Sequence, residues 1–188
     1  MFKIEIKIKE SEIKKYGEDL IKAIDLGLND LADYIATKSD AILRGEELGG
    51  SQKSKHPGSF DTGMLAKSLT VNKEKEFEKV VAYEAPHSVY IEFGTAPHWT
   101  PIKPKYEWVM RQRSVLGVNP HTKIEARSPR MKAIMPTYYK EVMAPTMGII
   151  NKIHEEGSEA KPFLRPAVNR GKIEAKSIIK KQIEKLEG

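Results

Sequence analysis

Residues 2–42 read FKIEIKIKESEIKKYGEDLIKAIDLGLNDLADYIATKSDAI, and the hydrophobic period changes partway along. Phe2, Ile4, Ile6 and Ile8 alternate with Lys3, Glu5, Lys7 and Lys9, the two-residue period of a strand with one buried face. Ser11 follows as a candidate helix cap, because its hydroxyl can accept an orphan backbone amide. Ile13, Tyr16, Leu20, Ile24, Leu28, Leu31, Ile35 and Ile42 then recur at helical spacings. That stripe predicts an amphipathic helix of about 30 residues, about 45 Å long. Lys14, Lys22, Asp30 and Asp33 form its polar face. Gly17 and Gly27 inside it would each cost ~1 kcal/mol relative to alanine, so packing must hold the helix together. A strand running into a helix with one apolar stripe predicts a helix lying on a sheet; a self-associating coiled coil is the alternative.

The rest of the chain supplies the partners. Val71–Tyr83 reads as two strands anchored by Leu69, Val71, Phe77, Val80 and Val81, with Lys73-Glu74-Lys75-Glu76 as the polar hairpin end. Ala85–Thr95 reads as a short helix opened by Pro86 and closed by Gly94, with Tyr90 and Phe93 on one face. Tyr106, Val109 and Met110 share a face of a helix over 104–110 that Gly117 ends. Ile149, Ile150 and Ile153 mark another over 147–156, stopped by Gly157. Lys161–Ala167 should run extended before Pro166 opens the last helix, with Phe163 as a core plug. Leu164, Val168, Ala175, Ile179, Gln182 and Leu186 fall on that helix's inner side, and Lys172, Lys176, Lys180 and Lys185 on its solvated side.

These elements predict a single α+β domain over 1–188. A small antiparallel sheet packs against a long N-terminal helix and a C-terminal helix, with a helical, basic insertion over 100–160. Residues 45–60, rich in glycine and serine, read as a flexible loop, either a linker or an arm that orders against a neighbour. Asn119–Thr146, broken by Pro120, Pro129, Pro136 and Pro145, receives no assignment.

Composition excludes several classes. The 188 residues hold 39% hydrophobic and 31% charged side chains and no cysteine, which rules out disulfides and thiolate metal sites. No apolar run approaches the ~20 residues that span a bilayer, and the N-terminus carries no signal-peptide core, so a cytoplasmic protein without a membrane partner is expected. His56, His87, His98, His121 and His154 are scattered, and no phosphate loop, nucleophile elbow or zinc motif is present. No cofactor, metal site or catalytic residue is expected.

Charge is uneven. Residues 1–99 carry 14 Lys/Arg against 17 Asp/Glu, residues 100–188 carry 18 against 9, and residues 101–140 alone carry 9 against 2. Arg111, Arg113, Lys123, Arg127, Arg130 and Lys132 therefore form a candidate patch for DNA or an acidic partner, with a solvated face as the plain alternative. No aromatic residues interleave it for base stacking, so any nucleic-acid contact would be non-specific.

Three short segments carry the functional reading: Asp61-Thr62-Gly63-Met64-Leu65-Ala66-Lys67-Ser68-Leu69, Tyr90-Ile91-Glu92-Phe93-Gly94-Thr95, and Lys161-Pro162-Phe163-Leu164-Arg165-Pro166-Ala167. From the residues alone, Asp61 or Thr62 caps a turn, Gly63 takes an unusual backbone angle, and Met64, Leu65 and Leu69 are apolar anchors. In order and wording the three segments resemble the tailed-bacteriophage head–tail joining, or tail completion, proteins, the gene-product-ten-like group. The resemblance covers roughly residues 10–186 and is weakest over 102–159. It implies a structural subunit rather than an enzyme: a connector or minor tail protein of a virion or prophage. It further implies a homo-oligomeric ring at the neck through which DNA passes, with neighbouring head or tail proteins as partners. Such a protein would reside in the host cytoplasm during assembly and in the virion afterwards. The family places a glutamate before Phe-Gly-Thr, which makes Glu92 a buried hydrogen-bonding or subunit-contact group; a surface acid or a structural salt bridge is the plain alternative. Asp61, Gly63, Leu65, Tyr90, Phe93, Gly94, Thr95, Pro162, Phe163, Leu164 and Pro166 are the other family-motif positions. The rival readings are a non-specific nucleic-acid-binding protein using residues 101–140 and, more distantly, a hydrolase with Glu92 as its acid.

Overall fold

Three strands, β1 (Phe2–Lys7), β2 (Leu69–Lys75) and β3 (Glu78–Tyr83), form an antiparallel sheet in the order β1-β3-β2. The computed structural model describes residues 2–7, 17–47, 63–75, 77–111 and 142–185. The architecture is α+β, with a long N-terminal helix and a C-terminal helix accompanying this small sheet. Two compact units are distinguished, Met1–Gly94 with Glu159–Gly188, and Thr95–Ser158.

In the first unit, register places Ile4 and Val71 on either side of Val81, and Leu69 beside Tyr83. Because side chains alternate across a sheet, these residues share one face. That face meets α1 (Glu18–Leu43), whose Leu31, Ala32, Ile35 and Leu43 join Val81, Tyr83, Ile4 and Ile6 in the main core. Val71, expected as an anchor, keeps 39% of its surface exposed on its edge strand. The hairpin between β2 and β3 shifts register between Lys73 and Lys75, and Phe77 takes a positive φ of 59°. Such backbone in a bulky residue costs on the order of 1–3 kcal/mol. Burial of the Phe77 ring against Leu28, Ile6, Ile21 and Ile24 offsets it.

α1 spans 26 residues, about 39 Å. Gly17 is its N-cap in extended conformation, outside the helix rather than within it, so no interior-glycine cost applies there. Leu20, in the first turn, is only half-buried and is not a core anchor. Gly27 permits close packing: a Cβ there would lie 3.0 Å from Cα of Ile179 in α6 (Leu164–Glu184), tighter than ordinary van der Waals contact. Gly171 on α6 is its counterpart, since a Cβ would meet Cγ1 of Ile35 at 2.6 Å. The two helices therefore approach almost backbone to backbone, and Ser39 of α1 joins its hydroxyl to the buried Tyr83 phenol at 2.8 Å. Burial pushes that phenol well above its usual pKa, so it stays a neutral hydrogen-bonding group.

Two short helices complete the unit. Gly63, with φ 73°, precedes α2 (Met64–Lys67), which buries Leu65 but leaves Met64 64% exposed, contrary to its expected anchoring role. α3 (Ser88–Phe93) begins two residues after Pro86 and ends at Gly94, whose φ of 73° suits glycine.

The second unit holds α4 (Ile102–Arg111) and α5 (Ala144–Glu156), which bury Val109 and Val142 among Tyr106, Trp108, Met110 and Ile149. Pro145, read as a break, occupies the first turn of α5, where a missing amide hydrogen is harmless. Gly157 closes α5 with φ 80°; a Cβ there would fall 2.0 Å from the Thr95 carbonyl oxygen. Thr95 and Ser158 exchange backbone hydrogen bonds of 3.0 and 3.2 Å and join hydroxyls at 2.9 Å. No helix among the described residues is long and apolar enough to cross a membrane.

Candidate functional site

A helix start leaves backbone amides without acceptors, and burying them bare is costly. α6 begins at Leu164, two residues earlier than the proline suggests, with Phe163 as its N-cap. Pro166, third in the helix, has no amide hydrogen to satisfy. The remaining donors all reach one carboxylate: Phe163 and Leu164 amides donate to Glu92 Oε2 at 2.8 and 3.0 Å, and the Arg165 amide donates to Oε1 at 3.0 Å. Arg165 Nε adds a fourth bond to Oε1 at 2.9 Å, and its Nη2 donates to the Glu92 carbonyl at 2.9 Å. Glu92 is wholly buried. A negative side chain at this end also complements the helix dipole.

The three motifs thus become one unit. Glu92 of Tyr90–Thr95 holds the start of Lys161–Ala167, and Lys161 also donates its amide to the Ile91 carbonyl at 2.8 Å. Leu65 of the first motif lies in the same buried cluster as Phe163, Leu164 and Tyr83. The Phe163 ring meets Tyr83 edge to face at 4.8 Å between centroids. With four donors on two oxygens, Glu92 has no free lone pair to offer a substrate, which weighs against the hydrolase reading.

What remains outside is amphipathic. Tyr90 is 59% and Phe93 49% exposed, and the Arg165 guanidinium carbon lies 4.6 Å from the Phe93 ring centroid. Tyrosine and arginine are enriched among residues that dominate binding at interfaces, and aromatic side chains in general are common there. Here the arginine is already oriented by Glu92.

Sequence reasoning missed a second buried charge cluster. Lys79 on β3 is 1% exposed, yet its ammonium donates to Asp25 Oδ1 at 2.9 Å, while Lys73 reaches Asp25 Oδ2 at 2.8 Å. Its signal was parity: Lys79 shares the inward face with Val81 and Tyr83, and Asp25 is three residues before Leu28. Burial pushes the Asp25 carboxyl up, but hydrogen bonds from Lys73 and Lys79, the Lys79 charge and the Phe77 amide outweigh it and hold the carboxyl below its usual range. A depressed carboxylate contributes stability above the unfolded pKa, about 3.9, that is lost as pH falls through the folded value. The melting temperature should therefore hold from neutral pH to about pH 5 and drop below about pH 4. Asp25→Asn should flatten that acid limb in a thermal-melt series; an unchanged limb would remove Asp25 as its source.

Among the other expected site residues, Gly63, Gly94 and Thr95 act through the backbone geometry described above, and Pro162 is half-buried. Arg111 is exposed in the last turn of α4. Arg113, Lys123, Arg127, Arg130 and Lys132 lie outside the described residues, as do Ser11, Asp61, Thr62, most of the 45–60 loop and Asn119–Glu141. Among the described residues no group of three His, Cys, Asp or Glu could hold a metal ion. Comparison of the chain with protein-family models, with curated proteins and with solved structures gives no match.

Proposed function

We propose that the chain is a structural subunit of a tailed-phage or prophage neck, a head–tail connector or tail-completion protein that assembles into a ring around passing DNA. The observation that carries this reading is the Glu92 clamp. The residues that resemble the family are spread over more than a hundred positions, yet Glu92 and Leu65 draw all three segments into one buried assembly. The same clamp leaves Tyr90, Phe93 and Arg165 outward as a rigid face suited to a protein partner. Rings form when one surface of a subunit meets a different surface of the next and the rotation closes. Electron microscopy of the purified full chain should show closed rings with a central opening; a protein that stays monomeric at every concentration would overturn the reading.

The net positive charge of residues 101–140 favours a second reading, non-specific contact with nucleic acid. On that reading duplex-DNA binding by the monomer would fall steeply as salt rises, through counterion release.

A further inference from the structure

Resting on the ring reading, we propose that the outward face of α1 in one subunit binds the outward face of α6 in the next copy of this chain. The two helices carry opposite charge: α1 holds six acidic and two basic side chains, and α6 holds six basic and two acidic ones. A merely solvated helix face mixes its signs, as in i,i+4 pairs. Asp25, Asp40, Arg165 and Arg170 are engaged within the subunit, but the imbalance persists among the other exposed residues: Glu18, Asp19, Asp30 and Asp33 against Lys22 on α1, and Lys172, Lys176, Lys180 and Lys181 against Glu174 and Glu184 on α6.

The placement of apolar residues sharpens the match. On α1, Leu26 is 53% exposed and lies seven residues after Asp19 and seven before Asp33, so all three share one face. On α6, Ile173 is 79% exposed, with Lys176 one turn further on the same face and Lys172 beside it. Lys22 stands one turn before Leu26 and Glu174 adjoins Ile173, so neither face is of a single sign; carboxylates nevertheless predominate along the Leu26 face and ammonium groups along the Ile173 face. Within a subunit the two do not meet, because α6 packs on a different side of α1, through Gly27 against Ile179 and Gly171 against Ile35. Asp19 pairs only loosely, with Lys22 at 3.7 Å across exposed side chains. Lys180, further along α6, is offset by Glu184 at 3.2 Å, whereas no ion pair among the described residues involves Lys172, Lys176 or Asp33.

Two different faces that complement each other can meet heterologously, and such a contact propagates into a ring or a filament; a reciprocal pairing, α1 on α6 and α6 on α1 about a two-fold axis, would stop at a dimer. The ring reading takes the heterologous arrangement. Opposite charges at the rim steer the encounter, and the Leu26–Ile173 contact supplies the apolar centre.

The test is a charge swap in the full chain, read by sedimentation and electron microscopy. Asp19→Lys with Asp33→Lys should weaken assembly at least about tenfold, since like charges then face each other. Lys172→Glu with Lys176→Glu should do the same. The chain carrying all four changes should assemble again, because both faces are inverted and complementary; a folding defect in either pair would not be rescued this way. Wild-type assembly should also weaken between about 0.05 and about 0.5 M salt, across the range in which screening shortens to below ~10 Å. Assembly of both two-site variants at wild-type strength would overturn this interface while leaving the ring reading intact. Intact assembly with lost duplex-DNA binding in Lys172→Glu/Lys176→Glu would reassign the α6 face to nucleic acid. A wild-type chain that never assembles would remove the ring reading and this interface with it.

Discussion

Glu92→Ala should be the most damaging single substitution in the chain. It removes the one acceptor for three amides at the start of α6 and strands the Arg165 guanidinium. An unsatisfied buried amide costs about 1–3 kcal/mol, so the two fully buried donors, Phe163 and Leu164, predict a loss of about 2–6 kcal/mol. That compares with a total stability of about 5–15 kcal/mol for an ordinary domain. Glu92→Gln should fall in between. It keeps one acceptor oxygen, but its amide group points hydrogens at hydrogens and loses the charge that orients Arg165. Thermal melts of the three proteins should rank wild type, Gln, Ala. A Glu92→Ala protein that melts within about a degree or two of wild type would mean the helix start is satisfied elsewhere, and the clamp would cease to explain how the motifs meet.

Phe163→Ala should follow closely. The ring is 1% exposed, meets Tyr83 edge to face, and sits in the cluster that α1, β3, α2 and α6 share. Truncating a buried phenylalanine costs about 3–5 kcal/mol through lost transfer energy and the cavity left behind. For a chain of this size that corresponds to a melting temperature lower by roughly 6–20 °C. Phe163→Leu, which fills part of the space, should lose less. Because the substitution opens the core beneath the clamp, its effect and that of Glu92→Ala should not add: both act on the residues around the start of α6. Additive losses would show that the aromatic contact and the carboxylate clamp are energetically separate.

The fold class was legible because periodicity records which face of each element is buried. Alternation over Phe2–Ile8 gave a strand with one buried face, which the structure describes over Phe2–Lys7 and places at the edge of the sheet, and the spacing from Leu28 to Ile42 gave the core stripe of α1. Phe163, read as a core plug in the segment before the last helix, is 1% exposed. Errors came where burial depends on neighbours that periodicity does not reveal. Leu20 follows the stripe but falls in the first turn, and Met64 sits beside Leu65 yet points to solvent. Pro145 has the chemistry of a helix stop but occupies a helix start, since only the direction of the following hydrogen bonds separates the two.

Charge marks the boundary between the two kinds of information. By itself the sequence determined that positive charge gathers in the second half and that α1 and the last helix are amphipathic, because both follow from residue order along one chain. Only the tertiary structure decided which charges are structural. Lys79 and Asp25 are 54 positions apart and Glu92 and Arg165 are 73 apart, distances over which no spacing rule operates. In each pair one partner, Lys79 or Glu92, is fully buried by elements that meet only after folding. A buried charge is tolerated only where a partner and enough hydrogen bonds await it, and that condition is set by packing rather than by sequence neighbours.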